Sequence, residues 1–216
     1  MMLAWGFCKL HSGGSSRLPK SLRKSGLEGL FMSDEAAGFD VGRKVFYGDQ
    51  VYKLQGEAVA EGAAMPAFTL WQFLDSEPHA VTAADLCDLH RPVLFSVMHS
   101  VDTPVGATQA RRIEALLAEF SELAVLGFLV SADLPFTLNR FLREQMFLHT
   151  IGASDYRQSF SQAMGVAMKE VFLPARSIFV FGEDGLCVHA EVVSEITHEP
   201  DYAAVGNALL EASGRA

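Results

Sequence analysis

The sequence predicts a layered α/β sandwich, in which a central mixed β-sheet is flanked by helices and extended by an added N-terminal β-hairpin. Three observations predict it. Two apolar runs, Pro92–Met98 and Val125–Val130, bracket an amphipathic stretch, as two buried parallel strands joined by a helix would. A closing pair of runs encloses the turn Gly182-Glu183-Asp184-Gly185 and leads into a last helical stretch. A shorter hairpin pattern precedes them all.

That first hairpin reads from Lys44-Val45-Phe46-Tyr47 and Gln50-Val51-Tyr52-Lys53-Leu54, which flank Gly48-Asp49. Phe68-Thr69-Leu70-Trp71 is a further strand. Pro92–Met98 is apolar on both faces, as a strand in the middle of a covered sheet must be. Thr103-Pro104 then opens a helix, with Thr as N-cap and Pro at the first helical position. Ile113, Leu116, Leu117 and Phe120 recur at helical spacing and bury one stripe. With the strand Val125–Val130 they complete a βαβ unit. Two helical stretches follow, around Thr137–Gln145 and Tyr156–Met164. The closing hairpin pairs Ser177–Phe181 with Leu186–Val193, and Pro200 leads into a helix carrying Tyr202, Val205, Leu209 and Leu210.

A chain of 216 residues accommodates one domain, expected over residues 41–216, behind a tail over residues 1–40. Before any acid, the tail carries Lys9, Arg17, Lys20, Arg23 and Lys24, interleaved with Gly13-Gly14-Ser15-Ser16. It reads as a targeting segment or, preferably, as a disordered extension or an upstream start ahead of Met32. The formal net charge of -9 argues against sequence-independent binding of nucleic acid or an anionic membrane surface. No apolar run approaches the length needed to span a bilayer; Leu123–Val130 is far too short. A soluble, cytoplasmic protein is expected. Cys8, Cys87 and Cys187 are scattered, with neither Cys-x-x-Cys nor zinc spacing.

Four segments carry a family resemblance. They are Ser100-Val101-Asp102-Thr103-Pro104-Val105-Gly106-Ala107-Thr108-Gln109; Ser131-Ala132-Asp133-Leu134-Pro135-Phe136 with Arg140-Phe141; Ala175-Arg176 entering a strand; and Glu195-Ile196-Thr197-His198-Glu199-Pro200-Asp201-Tyr202. In this order they resemble the thiol peroxidases, the atypical 2-Cys branch of the peroxiredoxins, whose fold is thioredoxin-like. The resemblance spans most of the chain after Lys44. It implies a catalytic cycle in which a thiolate at a helix N-terminus attacks peroxide, assisted by the helix dipole, a threonine hydroxyl and an arginine. The sulfenic acid is then captured by a resolving cysteine, and thioredoxin reduces the disulfide.

Carried over residue by residue, Thr103 and Arg176 match the pocket threonine and arginine. The peroxidatic position is Gly106, and the resolving position after Arg140-Phe141 is Leu142. Both sulfurs are absent, so the resemblance implies a family member without peroxidatic chemistry. Its former active site would retain a helix N-terminus, Thr103 and Arg176 around a space vacated by sulfur. Such a site suits a small anion or carboxylate. Gly106 would let a ligand approach the backbone closely.

The alternative is an active peroxidase using another cysteine, although Cys87 in a turn-like segment, Cys187 in the closing hairpin and Cys8 in the tail read as ordinary thiols. A metal set drawn from His189, Glu191, Glu195, His198 and Glu199 has no supporting spacing, so no metal or other cofactor is expected. The resemblance implies a homodimer, or a heterodimer with an active paralogue, and thioredoxin as partner only for an active protein.

Overall fold

The computed structural model describes residues 43–215, so the expected tail, Cys8 and the choice between Met1 and Met32 lie outside the described residues. The chain opens with the expected hairpin, β1 (Lys44–Tyr47) and β2 (Gln50–Gln55), turning at Gly48 with positive φ. β3 (Thr69–Leu74) and β4 (Glu77–Thr82) form a second hairpin. β5 (Val93–Val97), α2 (Pro104–Glu119) and β6 (Leu126–Ser131) make the expected βαβ unit, after the short α1 (Ala83–Cys87). α3 (Pro135–Glu144), β7 (Thr150–Ser154) and α4 (Ser159–Ala163) follow. Two-residue strands β8 (Ala167–Met168) and β9 (Leu173–Pro174) precede the closing hairpin, β10 (Ser177–Phe181) and β11 (Cys187–Val192), and the last helix, α5 (Tyr202–Ala212).

The seven-stranded sheet has the order β11-β10-β5-β6-β7-β3-β4, with β5, β6 and β7 mutually parallel and the other neighbours antiparallel. A smaller sheet runs β1-β2-β8-β9. Strand alternation sends Phe95, Val97, Phe128 and Phe179 to one face, where they pack with Leu54 and Met168 of the small sheet. Leu94, Ile178 and Val180 point to the other face, against Ile113 and Leu117 of α2 and Val205 and Leu209 of α5. Leu138 and Phe141 of α3 cover Leu129 on that same side. The architecture is the expected layered sandwich with its added hairpin.

Four local details differ from the sequence reading. Cys87 ends a helix rather than lying in a turn: the Thr82 hydroxyl accepts from the N–H of Asp85, whose carboxylate accepts from the N–H of Thr82, a reciprocal cap that nucleates α1. β4 is an unexpected strand, tolerated with Pro78 because it is a sheet edge. Its turn places Asp75 and Ser76 both at positive φ, the geometry that a tight hairpin needs, without the Gly or Asn that advertises it. β7 is also unexpected, because Gly152 breaks its pattern. α4 is shorter than Tyr156–Met164, starting only where Asp155 caps it through the N–H groups of Phe160 and Ser161.

Candidate functional site

The loop between β5 and α2 is held from below by the loop after β6. The Asp133 carboxylate accepts from the Ser100 hydroxyl (2.9 Å), the Val101 N–H (2.8 Å) and the Ser131 hydroxyl (2.8 Å). This works because β5 and β6 are adjacent parallel strands, so their C-terminal loops emerge side by side. Two of the resembling segments are thereby one physical unit.

Thr103 begins α2 as expected. Its hydroxyl donates to the Ser100 carbonyl (2.9 Å) and accepts from the Gly106 N–H (3.2 Å), with Pro104 at the first helical position. Both capacities of the hydroxyl are therefore used within the protein. Gly106, three residues after the cap, is buried. A Cβ at this position would collide with the Ser100 carbonyl oxygen and stand 2.6 Å from Thr103 Oγ1 and 3.3 Å from Met98 Sδ. The space expected beside residue 106 is closed.

Arg176 lies directly before β10 and is fully buried. Its Nε donates to the Ile196 carbonyl (2.8 Å), and Nη1 donates to Gln109 Oε1. Gln109 in turn donates from Nε2 to the Ser96 hydroxyl (2.9 Å) and the Val97 carbonyl (3.3 Å). Arg176 Nη2 is buried and has no hydrogen-bond partner. Burial pulls the guanidinium below its ordinary pKa, opposed by Tyr202 and Glu199, yet an arginine stays charged through this range.

A cavity of about 430 Å³ opens above this arginine. Thr103, Pro104 and Val105 line it from the start of α2, and Arg176 and His99 from the ends of the sheet. Met168, Val171 and Leu173 of the β8–β9 turn form one wall. Tyr47 and Tyr52 of the first hairpin, with Ile196 and Thr197, form the other. The first hairpin is fixed there: Phe46 N–H donates to Ser194 (2.7 Å), Ile196 N–H to Phe46 (2.9 Å), and Gly48 N–H to the Glu195 carboxylate (3.1 Å). His99 Nδ1 is also buried without a partner. Burial pushes this imidazole below its ordinary pKa, the Arg176 charge adds to that, and Asp133 opposes both.

Of the four expected site residues, Thr103 and Arg176 share this cavity, Gly106 sits behind it, and Leu142 faces elsewhere. Leu142 lies on α3 over Gly152, in a separate groove lined by Gln72, Asn139 and Thr150. Neither Cys87 nor Cys187 lines the cavity. Cys87 is half-buried and approaches Gly185 in the far turn of the closing hairpin, and Cys187 is buried at that same end, opposite Phe181. Burial, reinforced by Glu61, pushes the Cys187 thiol up to about 11.

His189 Nε2 lies 3.8 Å from Glu191, while Glu195 is spent on Gly48 and Thr197 and Glu199 on Arg112 and Tyr202. Among the described residues, no three His, Cys, Asp or Glu stand as a metal set, and no helix is long and apolar enough to cross a membrane.

The sequence reading gave no role to His99, Gln109 or Ile196. Gln109 left a signal: it is a polar residue on the buried stripe Gly106, Ala110, Ile113, Leu117, where only a satisfied polar group is tolerated. Ile196 acts through its carbonyl, which no side-chain pattern reveals.

The mixed sheet with α2, α3 and α5 on one face and the small sheet, together with α1 and α4, on the other is thioredoxin-like. The family model described as Redoxin matches residues 60–205. The thiol peroxidase of Staphylococcus aureus (strain MRSA252) is 37% identical over 152 residues, covering 70% of this chain and 88% of its own. That of Bacillus subtilis (strain 168) is 36% identical over 151 residues, covering 69% and 86%. Among solved structures, a peroxiredoxin-like protein from Aquifex aeolicus superposes with a TM-score of 0.69 at 27% identity, over 79% of this chain and 98% of its own. The chain belongs to the Redoxin family, and within that family to the thiol peroxidases.

Proposed function

We infer that this chain is a thiol peroxidase relative without a peroxidatic thiolate, and that its cavity binds a ligand rather than reducing a hydroperoxide. The observation that carries the reading is the closure at residue 106. Thiol-based reduction requires a thiolate sulfur that attacks one peroxide oxygen and breaks the O–O bond, the sulfur becoming sulfenic acid while the other oxygen departs as water or an alcohol. At the position that the family resemblance assigns to this sulfur, Gly106 supplies none, and the Ser100 carbonyl occupies the path along which a side chain would leave the backbone.

The two described cysteines support the same reading. Cys187 is a buried thiol whose high pKa keeps it protonated, and neither it nor Cys87 meets Arg176 or Thr103 at the cavity. The resolving position holds Leu142, packed toward Gly152 in its own groove. A disulfide cycle between α2 and α3 therefore has neither partner, and the thioredoxin step has no substrate.

The experiment is to treat the full chain with hydrogen peroxide in the presence of dimedone, which captures sulfenic acids, and to read intact and peptide masses. The expected result is no rapid adduct on Cys87, Cys187 or Cys8. A rapid stoichiometric adduct on any one of them would replace this reading with an active peroxidase of unusual design.

A further inference from the structure

The ligand chemistry of the cavity follows from what Arg176 leaves open. A fully buried guanidinium has five N–H donors, and two of its nitrogens are engaged by the protein, Nε by Ile196 and Nη1 by Gln109. Nη2 is buried with no partner, and no carboxylate among the described residues pairs with the group. The nearby acids are committed: Glu199 to Arg112 and Tyr202, Asp133 to Ser100, Val101 and Ser131. Leaving a charged donor buried and unpaired is costly, so a cation held this way at a cavity floor calls for an anion from outside.

The rest of the lining says which anion. The walls are mainly apolar: Val105, Met168, Val171, Leu173 and Ile196 supply aliphatic surface, and Tyr47 and Tyr52 add their rings. The volume of about 430 Å³ lies within the range of small-molecule sites and far exceeds what an inorganic ion fills. A polyanion would bring more charge and more acceptors than one guanidinium nitrogen can match, and the excess would be buried uncompensated. The Thr103 hydroxyl cannot help, because it is already spent as the helix cap. The second open group is His99 Nδ1, which lines the same cavity and can supply one more N–H to a second carboxylate oxygen.

We propose that the cavity takes a monocarboxylate with an apolar aliphatic body, its carboxylate on Arg176 Nη2 and His99 and its chain along Val105, Val171 and Leu173. This rests on the reading of the cavity as a binding site, and deepens it.

The test is calorimetric titration of the full chain with octanoate, alongside octanol, acetate and inorganic phosphate. Octanoate binds at one per chain, with octanol, acetate and phosphate each at least tenfold weaker. Val171→Trp, which fills the cavity from a half-buried turn, weakens octanoate at least tenfold with an unchanged far-ultraviolet spectrum; Arg176→Met does the same where it folds. Absence of octanoate binding, equal binding of octanol or phosphate, or undiminished binding in Val171→Trp overturns the proposal. Peroxide consumption by the same sample judges the non-peroxidatic reading separately. Octanoate binding beside peroxide consumption upholds the ligand class and removes that reading; no binding and no consumption does the converse.

Discussion

The carbonyl oxygen of Ser100 lies where a side chain on residue 106 would begin, so the first turn of α2 seats against the preceding loop only because Gly106 has no Cβ. Thr103 ties the two together, donating to Ser100 and accepting from Gly106. An ordinary helical glycine gains up to about 1 kcal/mol on replacement by alanine. Here Gly106→Ala forces the loop or the helix to move, and overpacking of this kind costs about 1–3 kcal/mol. Urea unfolding should therefore show Gly106→Ala destabilised. A variant as stable as the parent would mean that residues 100–103 shift freely.

Gln109 joins the strand end to the buried arginine. Gln109→Leu keeps the apolar volume of α2 but strands Arg176 Nη1 and the Ser96 hydroxyl. The expected loss is about 3 kcal/mol, because one of the orphaned groups is charged. Equilibrium unfolding checks it. A loss below the measurement error would show that Arg176 finds another partner.

Glu114 ties α2 to the start of β7, accepting from Leu148 N–H (2.7 Å), His149 N–H (3.0 Å) and the Thr150 hydroxyl (2.6 Å). Burial alone would raise this carboxyl, but the Thr150 hydroxyl and the two N–H groups outweigh it and hold it below the ordinary range. A depressed folded pKa adds stability above the unfolded value and loses it as pH falls through the folded one. Glu114→Gln should therefore be less stable than the parent at neutral pH, with the gap narrowing below about pH 4. A gap that stays constant with pH would show that the carboxylate charge contributes nothing.

Thiol labelling separates the two described cysteines. With its thiol pushed up to about 11, Cys187 is ionised to roughly a thousandth at pH 8. Ellman's reagent should modify half-buried Cys87 first and reach Cys187 only on unfolding. Equal rates in the folded protein would contradict the packing of β11.

Much of this arrangement is legible in the sequence because it is local. Thr103-Pro104 announces a helix start wherever it sits, and Phe95 and Phe128 lie in runs that only a covered sheet accommodates. β4 and β7 are hidden for the opposite reason: Pro78 is tolerated because β4 lies at the edge of the assembled sheet, and Gly152 because Leu138 and Leu142 of α3 pack over it. The candidate site divides the same way. The resembling segments single out Thr103, Gly106 and Arg176, yet the closure over residue 106 depends on a carbonyl six residues away. The open Nη2 of Arg176 depends on Gln109 and Ile196 having taken the other nitrogens. Such facts belong to the packing, not to any one segment.

The central claim, that no cysteine of this chain serves as a peroxidatic nucleophile, is tested most directly by steady-state hydrogen peroxide consumption with dithiothreitol as reductant. The full chain is compared with its Cys8→Ser, Cys87→Ser, Cys187→Ser triple variant. The account predicts equal rates, both at the reagent background. Consumption by the parent that is lost in the triple variant would contradict it, and would assign the chemistry to one of these three thiols.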